Sequence, residues 1–107
     1  MVTMERKNMN TNKEWTPQEL RILLVSCRYP ANLLQQKFFK YRSVNSVNYK
    51  LNEVRNYLNT RACYFNPVID DELCWASNNR QLDYFSKKYR IPKKYIILRL
   101  VELGIAR

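Results

Sequence analysis

The apolar residues between positions 44 and 58 recur at alternating steps of three and four. Val44, Val47, Leu51, Val54 and Leu58 follow this spacing. It matches the 3.6-residue turn of an α-helix and places all five side chains on one side. The sequence therefore predicts an amphipathic helix over these residues, and such a helix is stable only when its apolar side packs against other elements.

Two shorter helices are predicted ahead of this one. Residues 16–19 (TPQE) have the form of a capping box, with Thr at N-cap, Pro at N1 and Glu at N3. The apolar stripe that follows at helical spacing comprises Leu20, Leu23, Leu24 and Cys27. Tyr29-Pro30 ends this helix. A second helix over about 31–40 has an apolar side formed by Leu34, Phe38 and Tyr41, and Ser43 is the expected N-cap of the third helix.

The C-terminal part has the spacing of a helix-turn-helix. The apolar positions of its first helix are Leu82, Phe85 and Tyr89, and those of its second are Ile96, Leu100 and Leu103. Arg90-Ile91-Pro92 forms a tight corner between them, and Gly104 is placed to stop the second helix. A corner of this kind presents the second helix at an angle that fits a DNA major groove.

No segment alternates as a strand does, so we expect an all-α protein. The expected organisation is a flexible basic arm over 1–14, a three-helix module over 15–60, a packed linker over 61–69, and a small helix-turn-helix-like module over 70–107. The acids at 70–72 lie where a short helix begins, which the helix dipole favours.

The charge of the chain points to a polyanionic partner. Nineteen basic and nine acidic residues give a net charge of +10, which favours DNA, RNA or an anionic membrane surface. Residues 15–65 carry eight basic and two acidic residues, whereas residues 66–107 carry eight basic and five acidic residues. The N-terminal part therefore has the larger excess of positive charge. No apolar run is long enough for a membrane span. Residues 1–14 lack the apolar core of a signal peptide, so we expect a nuclear protein in a eukaryote, otherwise a cytoplasmic one, and no export.

The composition argues against an enzyme. The chain has no histidine and one glycine, so it lacks the commonest general base and cannot form a glycine-rich phosphate loop. Cys27, Cys63 and Cys74 are an odd number at spacings unsuited to a metal site, and reduced thiols are expected. We therefore expect no catalytic residues, no cofactor and no metal.

A family resemblance appears in two segments. Residues 15–20 (WTPQEL) resemble the opening of Myb/SANT-type repeats, and residues 42–47 (RSVNSV) are similar to the start of their third helix. The resemblance covers about 45 residues. The second and third tryptophans of the family are absent, and no glycine precedes the second helix. A divergent member and a homeodomain-like three-helix relative are equal alternatives. In the C-terminal part, residues 91–105 are similar to helix-turn-helix segments of bacterial and phage regulators.

The resemblance implies that the third helix enters the major groove. Its candidates for base contacts are Asn45, Asn48, Tyr49 and Asn52. Asparagine suits this task because its amide pairs with adenine N6 and N7. Candidates for phosphate contacts are Lys40, Arg42, Lys50, Arg55, Lys87, Lys88, Lys93 and Lys94. The competing interpretation of the asparagines is an ordinary solvated face in an Asn-rich chain.

The C-terminal module also carries an expected protein interface. Ile97 and Leu98 occupy positions that face the groove in a helix-turn-helix, and Tyr84 and Tyr95 extend the same surface. An exposed apolar pair is typical of a contact with a protein partner or a second copy.

Two functions follow from these patterns. The first is double-stranded DNA binding, by a transcriptional regulator or a DNA-targeting subunit of a larger complex. The alternative is a SANT-like protein-interaction or scaffold module that docks a partner through the C-terminal helices. A single exposed stripe of Lys40, Arg42, Lys50 and Arg55 favours DNA, whereas their dispersal favours the alternative.

Overall fold

A computed structural model describes residues 14–75 and 79–105. These residues form six α-helices and no β-strand, which confirms the all-α class. The helices are α1 Pro17–Val25, α2 Ala31–Phe38, α3 Val44–Tyr64, α4 Pro67–Trp75, α5 Asn79–Tyr89 and α6 Lys93–Glu102. The chain divides into two compact units, Met1–Arg55 and Asn56–Arg107, so α3 begins in the first unit and ends in the second. The expected basic arm lies outside the described residues except for Glu14.

The start of the first unit is the predicted capping box. Thr16 Oγ1 accepts a hydrogen bond from the Glu19 N–H at 3.2 Å, and the Glu19 carboxylate accepts one from the Thr16 N–H at 2.8 Å. Pro17 occupies the first turn of α1, where its missing N–H costs nothing. These local bonds fix where α1 begins.

The core of the first unit draws on all three of its helices. Its fully or nearly fully buried apolar side chains are Leu20, Leu23, Leu34, Phe39, Val47, Leu51 and Val54. The prediction that Phe38 and Tyr41 continue the apolar side of α2 is wrong, since both are about half exposed and Phe39 is buried instead. The cause is that α2 ends at Phe38 and Phe39 leaves helical geometry, with φ −129° and ψ 48°.

The third helix is longer than predicted. It continues past Leu58 to Tyr64, because no glycine or proline interrupts the chain before Pro67. Asn66 then caps α4 by accepting a hydrogen bond from the Ile69 N–H at 2.9 Å. Residues 61–69, expected to form a linker, are therefore helical apart from residues 65 and 66.

The second unit is centred on α6. Its buried apolar side chains include Tyr57, Phe65, Leu73, Ile91, Ile96, Leu98, Leu100 and Val101. The Arg99 guanidinium donates to both oxygens of Asp70, at 2.9 and 2.6 Å, which ties α6 to α4. The Tyr57 hydroxyl donates to Glu102 at 2.5 Å and so ties α3 to α6.

The predicted corner between α5 and α6 is present. Arg90 adopts a left-handed conformation with φ 58°. The Ile91 N–H bonds to the Ser86 carbonyl at 3.1 Å and the Ser86 hydroxyl donates to the Ile91 carbonyl at 2.7 Å. Gly104, with φ 81°, ends α6 in the same way. Both helix ends were correctly predicted from residues adjacent in sequence.

The corner gives a prediction about stability, because arginine is strained at a left-handed position. We expect Arg90→Gly to be more stable than Arg90→Ala by about 1 kcal/mol, since glycine adopts positive φ without steric cost. The alanine variant is the matched control, as both substitutions remove the same charge. Urea unfolding monitored by circular dichroism measures the difference, and equal stabilities would contradict this description of the corner.

Candidate nucleic-acid interface

The four candidates for base contacts lie together on one face of α3. Asn45, Asn48, Tyr49 and Asn52 are all exposed, with Tyr49 at 71%. At 3.6 residues per turn these positions fall within about 100° of the helix circumference. The opposite side, with Val47, Leu51 and Val54, is fully buried. The fold therefore presents the Asn face, defined as these four residues, outward on a helix whose other side is fixed in the core.

The beginning of the Asn face is also well defined. Ser43 caps α3, because its hydroxyl accepts a hydrogen bond from the Ser46 N–H at 3.0 Å. Lys40 is exposed in the connection that precedes this cap. The predicted N-cap is thus confirmed, and one phosphate candidate stands exposed just ahead of α3.

The sequence prediction that Arg42 contacts phosphate does not agree with the structure, because this side chain is only 4% exposed. Its Nε and Nη2 donate to the two carboxylate oxygens of Glu19, both at 3.1 Å. Nη2 also donates to the Glu14 carbonyl at 3.2 Å, and the guanidinium lies 4.0 Å from the centre of the Trp15 ring. A side chain held in this way is structural and is not placed to reach a phosphate.

The Glu19 carboxylate is the centre of this buried cluster. Burial raises its pKa, but hydrogen bonds from Arg42, the Tyr41 hydroxyl and the Thr16 N–H outweigh that effect and hold the pKa below the ordinary value of 4.5. Burial and the neighbouring Glu19 carboxylate raise the pKa of Tyr41. Glu19 is therefore ionised at neutral pH, and its pair with Arg42 ties α1 to the chain entering α3.

Lys50 and Arg55 also have structural partners. Lys50 Nζ lies 2.9 Å from the buried Glu53 carboxylate. Arg55 donates to the carbonyls of Cys27 and Tyr29, at 2.8 and 3.0 Å. Lys40, Arg42, Lys50 and Arg55 therefore do not form a single exposed stripe.

Burial of these carboxylates changes the charge of the surface. Glu19 and Glu53 are both buried and ion-paired. Among residues 14–55, Glu14 is the one exposed acid, whereas the exposed cations are Arg21, Arg28, Lys37 and Lys40. The described surface of the first unit is consequently positive although the predicted stripe is not formed.

The basic residues around the α5–α6 corner divide into two groups. Lys93 lies 2.9 Å from Asp83, and Lys88 lies 3.9 Å from Glu72 and within 6 Å of the ring centres of Tyr84 and Tyr89. The hydrogen bond with Tyr89 and the charge of Glu72 raise the pKa of Lys88. Lys87, Lys94 and Arg90 are exposed and form no ion pair within the described part of the chain. The corner thus retains cations available to an anionic partner.

The expected apolar interface on α6 is not formed as predicted. Leu98 is 1% exposed, and Ile97 is half-buried. Tyr95 is half-buried, with its ring 5.8 and 5.7 Å from those of Tyr57 and Tyr64, and only Tyr84 is largely exposed. The prediction for Leu98 is wrong because α6 is covered on more than one side, whereas helix-turn-helix spacing predicts a single buried stripe.

Among residues 14–75 and 79–105, no group of three or more His, Cys, Asp and Glu side chains is arranged to hold a metal ion. Within the same ranges, no helix combines the length and apolar character needed to cross a bilayer. Cys27, Cys63 and Cys74 are free thiols. No protein-family model, curated protein or solved structure matches this chain.

Proposed function

We propose that this protein binds double-stranded DNA, with the Asn face of α3 in the major groove. The observation that carries the proposal is the exposure of Asn45, Asn48 and Asn52 on one face of a helix that the core holds in place. Each asparagine amide can pair with adenine N6 and N7, and a good pair of this kind discriminates by about 1–3 kcal/mol. The first unit then acts as a Myb/SANT-like or homeodomain-like three-helix module.

The two segments that resemble Myb/SANT-type repeats contact each other, and this contact supports the proposal. Residues 15–20 and 42–47 are distant in sequence, yet Arg42 of the second segment pairs with Glu19 of the first and lies over Trp15. The residues that carry the resemblance therefore cooperate in fixing the beginning of α3. That is the element the family resemblance assigns to the groove.

The exposed cations provide the phosphate contacts in this proposal. Lys40 precedes α3 in the first unit, and Lys87, Arg90 and Lys94 surround the corner of the second. Phosphate contacts of this kind give affinity and register, while base contacts give sequence preference. The biological role that fits is a transcriptional regulator or a DNA-targeting subunit of a larger complex.

A protein-interaction module remains the second candidate function. The observation that favours it is that Arg42, Lys50 and Arg55 are occupied by structural partners. On the C-terminal helices, Tyr84 is 60% exposed and Ile97 is half-buried, and these residues offer a smaller docking surface than expected. Binding to DNA distinguishes the two candidates.

The experiment is fluorescence anisotropy of a labelled random duplex pool with the full chain at several salt concentrations. If Lys40, Lys87, Arg90 and Lys94 each neutralise one phosphate, affinity falls about 150-fold between roughly 50 and 200 mM salt, with a log–log slope of about −3.6. Lys40→Gln should reduce the magnitude of the slope by about one. Affinity that does not change with salt, or the absence of binding, would overturn the proposal and favour the second candidate.

A further inference from the structure

An open groove in the first unit is formed by the α1–α2 connection and by α2, and no residue of the Asn face lines it. It has a volume of about 310 Å³ and is lined by Ser26, Tyr29, Leu33, Leu34, Lys37 and Phe38. Leu34 is buried, whereas Tyr29 and Phe38 are 45% and 46% exposed. Two large aromatic side chains therefore remain half in solvent beside an apolar base, and a ligand with apolar side chains would cover them.

The groove has a positive rim. Lys37 lines it directly, and the Arg28 guanidinium lies 5.9 Å from the centre of the Tyr29 ring. Arg55 donates to the Tyr29 carbonyl at 3.0 Å and so holds the loop that carries this ring. The carboxylates of Glu19 and Glu53 are occupied by Arg42 and Lys50. Glu14, the one exposed acid in the described part of the first unit, does not line the groove, so no lining carboxylate balances the positive rim.

We infer that this groove docks an acidic segment of a partner protein. One or two large apolar side chains of the segment fill the space between Tyr29 and Phe38, and its carboxylates face Lys37 and Arg28. Charge complementarity selects an acidic occupant over a basic one. The half-exposed aromatic rings select a peptide with apolar anchors over a purely charged chain, because buried anchors carry most of the binding energy in such interfaces.

The test uses a labelled peptide of about 20 residues. Its Leu and Phe residues recur every three or four positions, as on one face of a helix, and Asp and Glu occupy most of the remaining positions. Anisotropy with the full chain should show saturable binding. A peptide of equal charge with every Leu and Phe replaced by Ser should bind at least about tenfold more weakly. Equal binding of the two peptides would overturn the inference, since it would show attraction by charge alone.

Two protein variants locate the binding. Phe38→Ser should weaken peptide binding about tenfold, and Lys37→Gln should weaken it about threefold. Tyr49→Ser is the matched control, because it removes an exposed aromatic ring from α3, and it should leave peptide binding unchanged. Circular dichroism checks that each variant is folded. An unchanged affinity in both groove variants would contradict the assignment.

The inference is separable from the proposed DNA binding. Phe38→Ser should leave duplex affinity unchanged, whereas Tyr49→Ser should reduce it without affecting the peptide. Single-stranded RNA of random sequence is the competing occupant, since bases stack on aromatic rings. If this RNA binds in a manner that depends on Phe38 and displaces the peptide, the groove is a nucleic-acid site and the inference is wrong.

Discussion

Arg42→Ala is expected to lower the free energy of unfolding by about 3–5 kcal/mol, because it leaves a buried carboxylate without its partner. Glu19 is buried, and Arg42 supplies two of its hydrogen bonds while packing over Trp15. The lost packing on the indole adds to the lost charge pairing. Urea unfolding monitored by circular dichroism measures the change, with the chain otherwise intact.

Two controls separate this effect from a general loss of positive charge. Lys93→Ala removes a partly exposed pair with Asp83 and should cost no more than about 1 kcal/mol. Glu19→Gln/Arg42→Met should be more stable than Arg42→Ala, because no buried charge is left unpaired. A loss below about 1 kcal/mol for Arg42→Ala would contradict the structural role of the pair.

The same pair has a consequence for pH. Because the pKa of Glu19 is lower in the folded than in the unfolded chain, its contribution to stability is present above the ordinary value of 4.5 and is lost as the pH falls through the lower folded value. Arg42→Ala removes the main favourable partner of the carboxylate. The free energy of unfolding of the Arg42→Ala variant should therefore fall less steeply on acidification than that of the wild-type protein.

The second large effect concerns DNA recognition. Asn48→Ala/Asn52→Ala should weaken the free energy of binding to an adenine-containing site by about 2–6 kcal/mol, since each bidentate pair contributes about 1–3 kcal/mol. The Kd should therefore rise at least about 30-fold. Alanine is the better helix former, so α3 itself is not weakened by the substitution. Anisotropy with duplexes selected from a random pool measures the loss.

The matched control is Asn32→Ala/Gln36→Ala, which removes two exposed amides from α2. It should leave duplex affinity unchanged. The α3 variant should also keep the salt dependence of the wild type, because it removes no phosphate contact. Equal losses in the two variants, or a loss that is the same for every duplex sequence, would show that the Asn face does not recognise bases.

The features that sequence analysis predicted correctly depend on residues close together in the chain. The capping box at Thr16, the Ser43 cap, the corner at Arg90 and the stop at Gly104 are each set by bonds spanning three to five residues. Such bonds follow from residue type and spacing. The clear 3–4 spacing of α3 likewise predicts which of its sides is buried, except that Val44 is 40% exposed and Leu58 is half-buried.

The features that were missed depend on tertiary contacts. The sequence alone predicts a phosphate contact for Arg42, because its acidic partner lies 23 residues earlier in the chain, where Glu19 has a local explanation as a capping residue. The sequence predicts a surface position for Leu98 because one helix period identifies one buried side, whereas α6 is covered on more than one side. The available signal for the buried Arg42–Glu19 pair was the scarcity of acids in residues 15–65. With two acids among eight cations, each acid readily finds a basic partner with which it can be buried.

The most direct test of the central claim is a titration of the isotopically labelled full chain with an adenine-containing duplex, observed by two-dimensional amide NMR. We predict that the side-chain NH₂ signals of Asn45, Asn48 and Asn52 shift, together with the backbone amides of residues 43–52. Saturable shifts confined to this segment and to residues near Lys40, Lys87 and Lys94 would agree with a groove-bound α3. If the three asparagine signals stay unmoved while other residues shift, or if no signal shifts, the proposal that α3 recognises DNA is wrong.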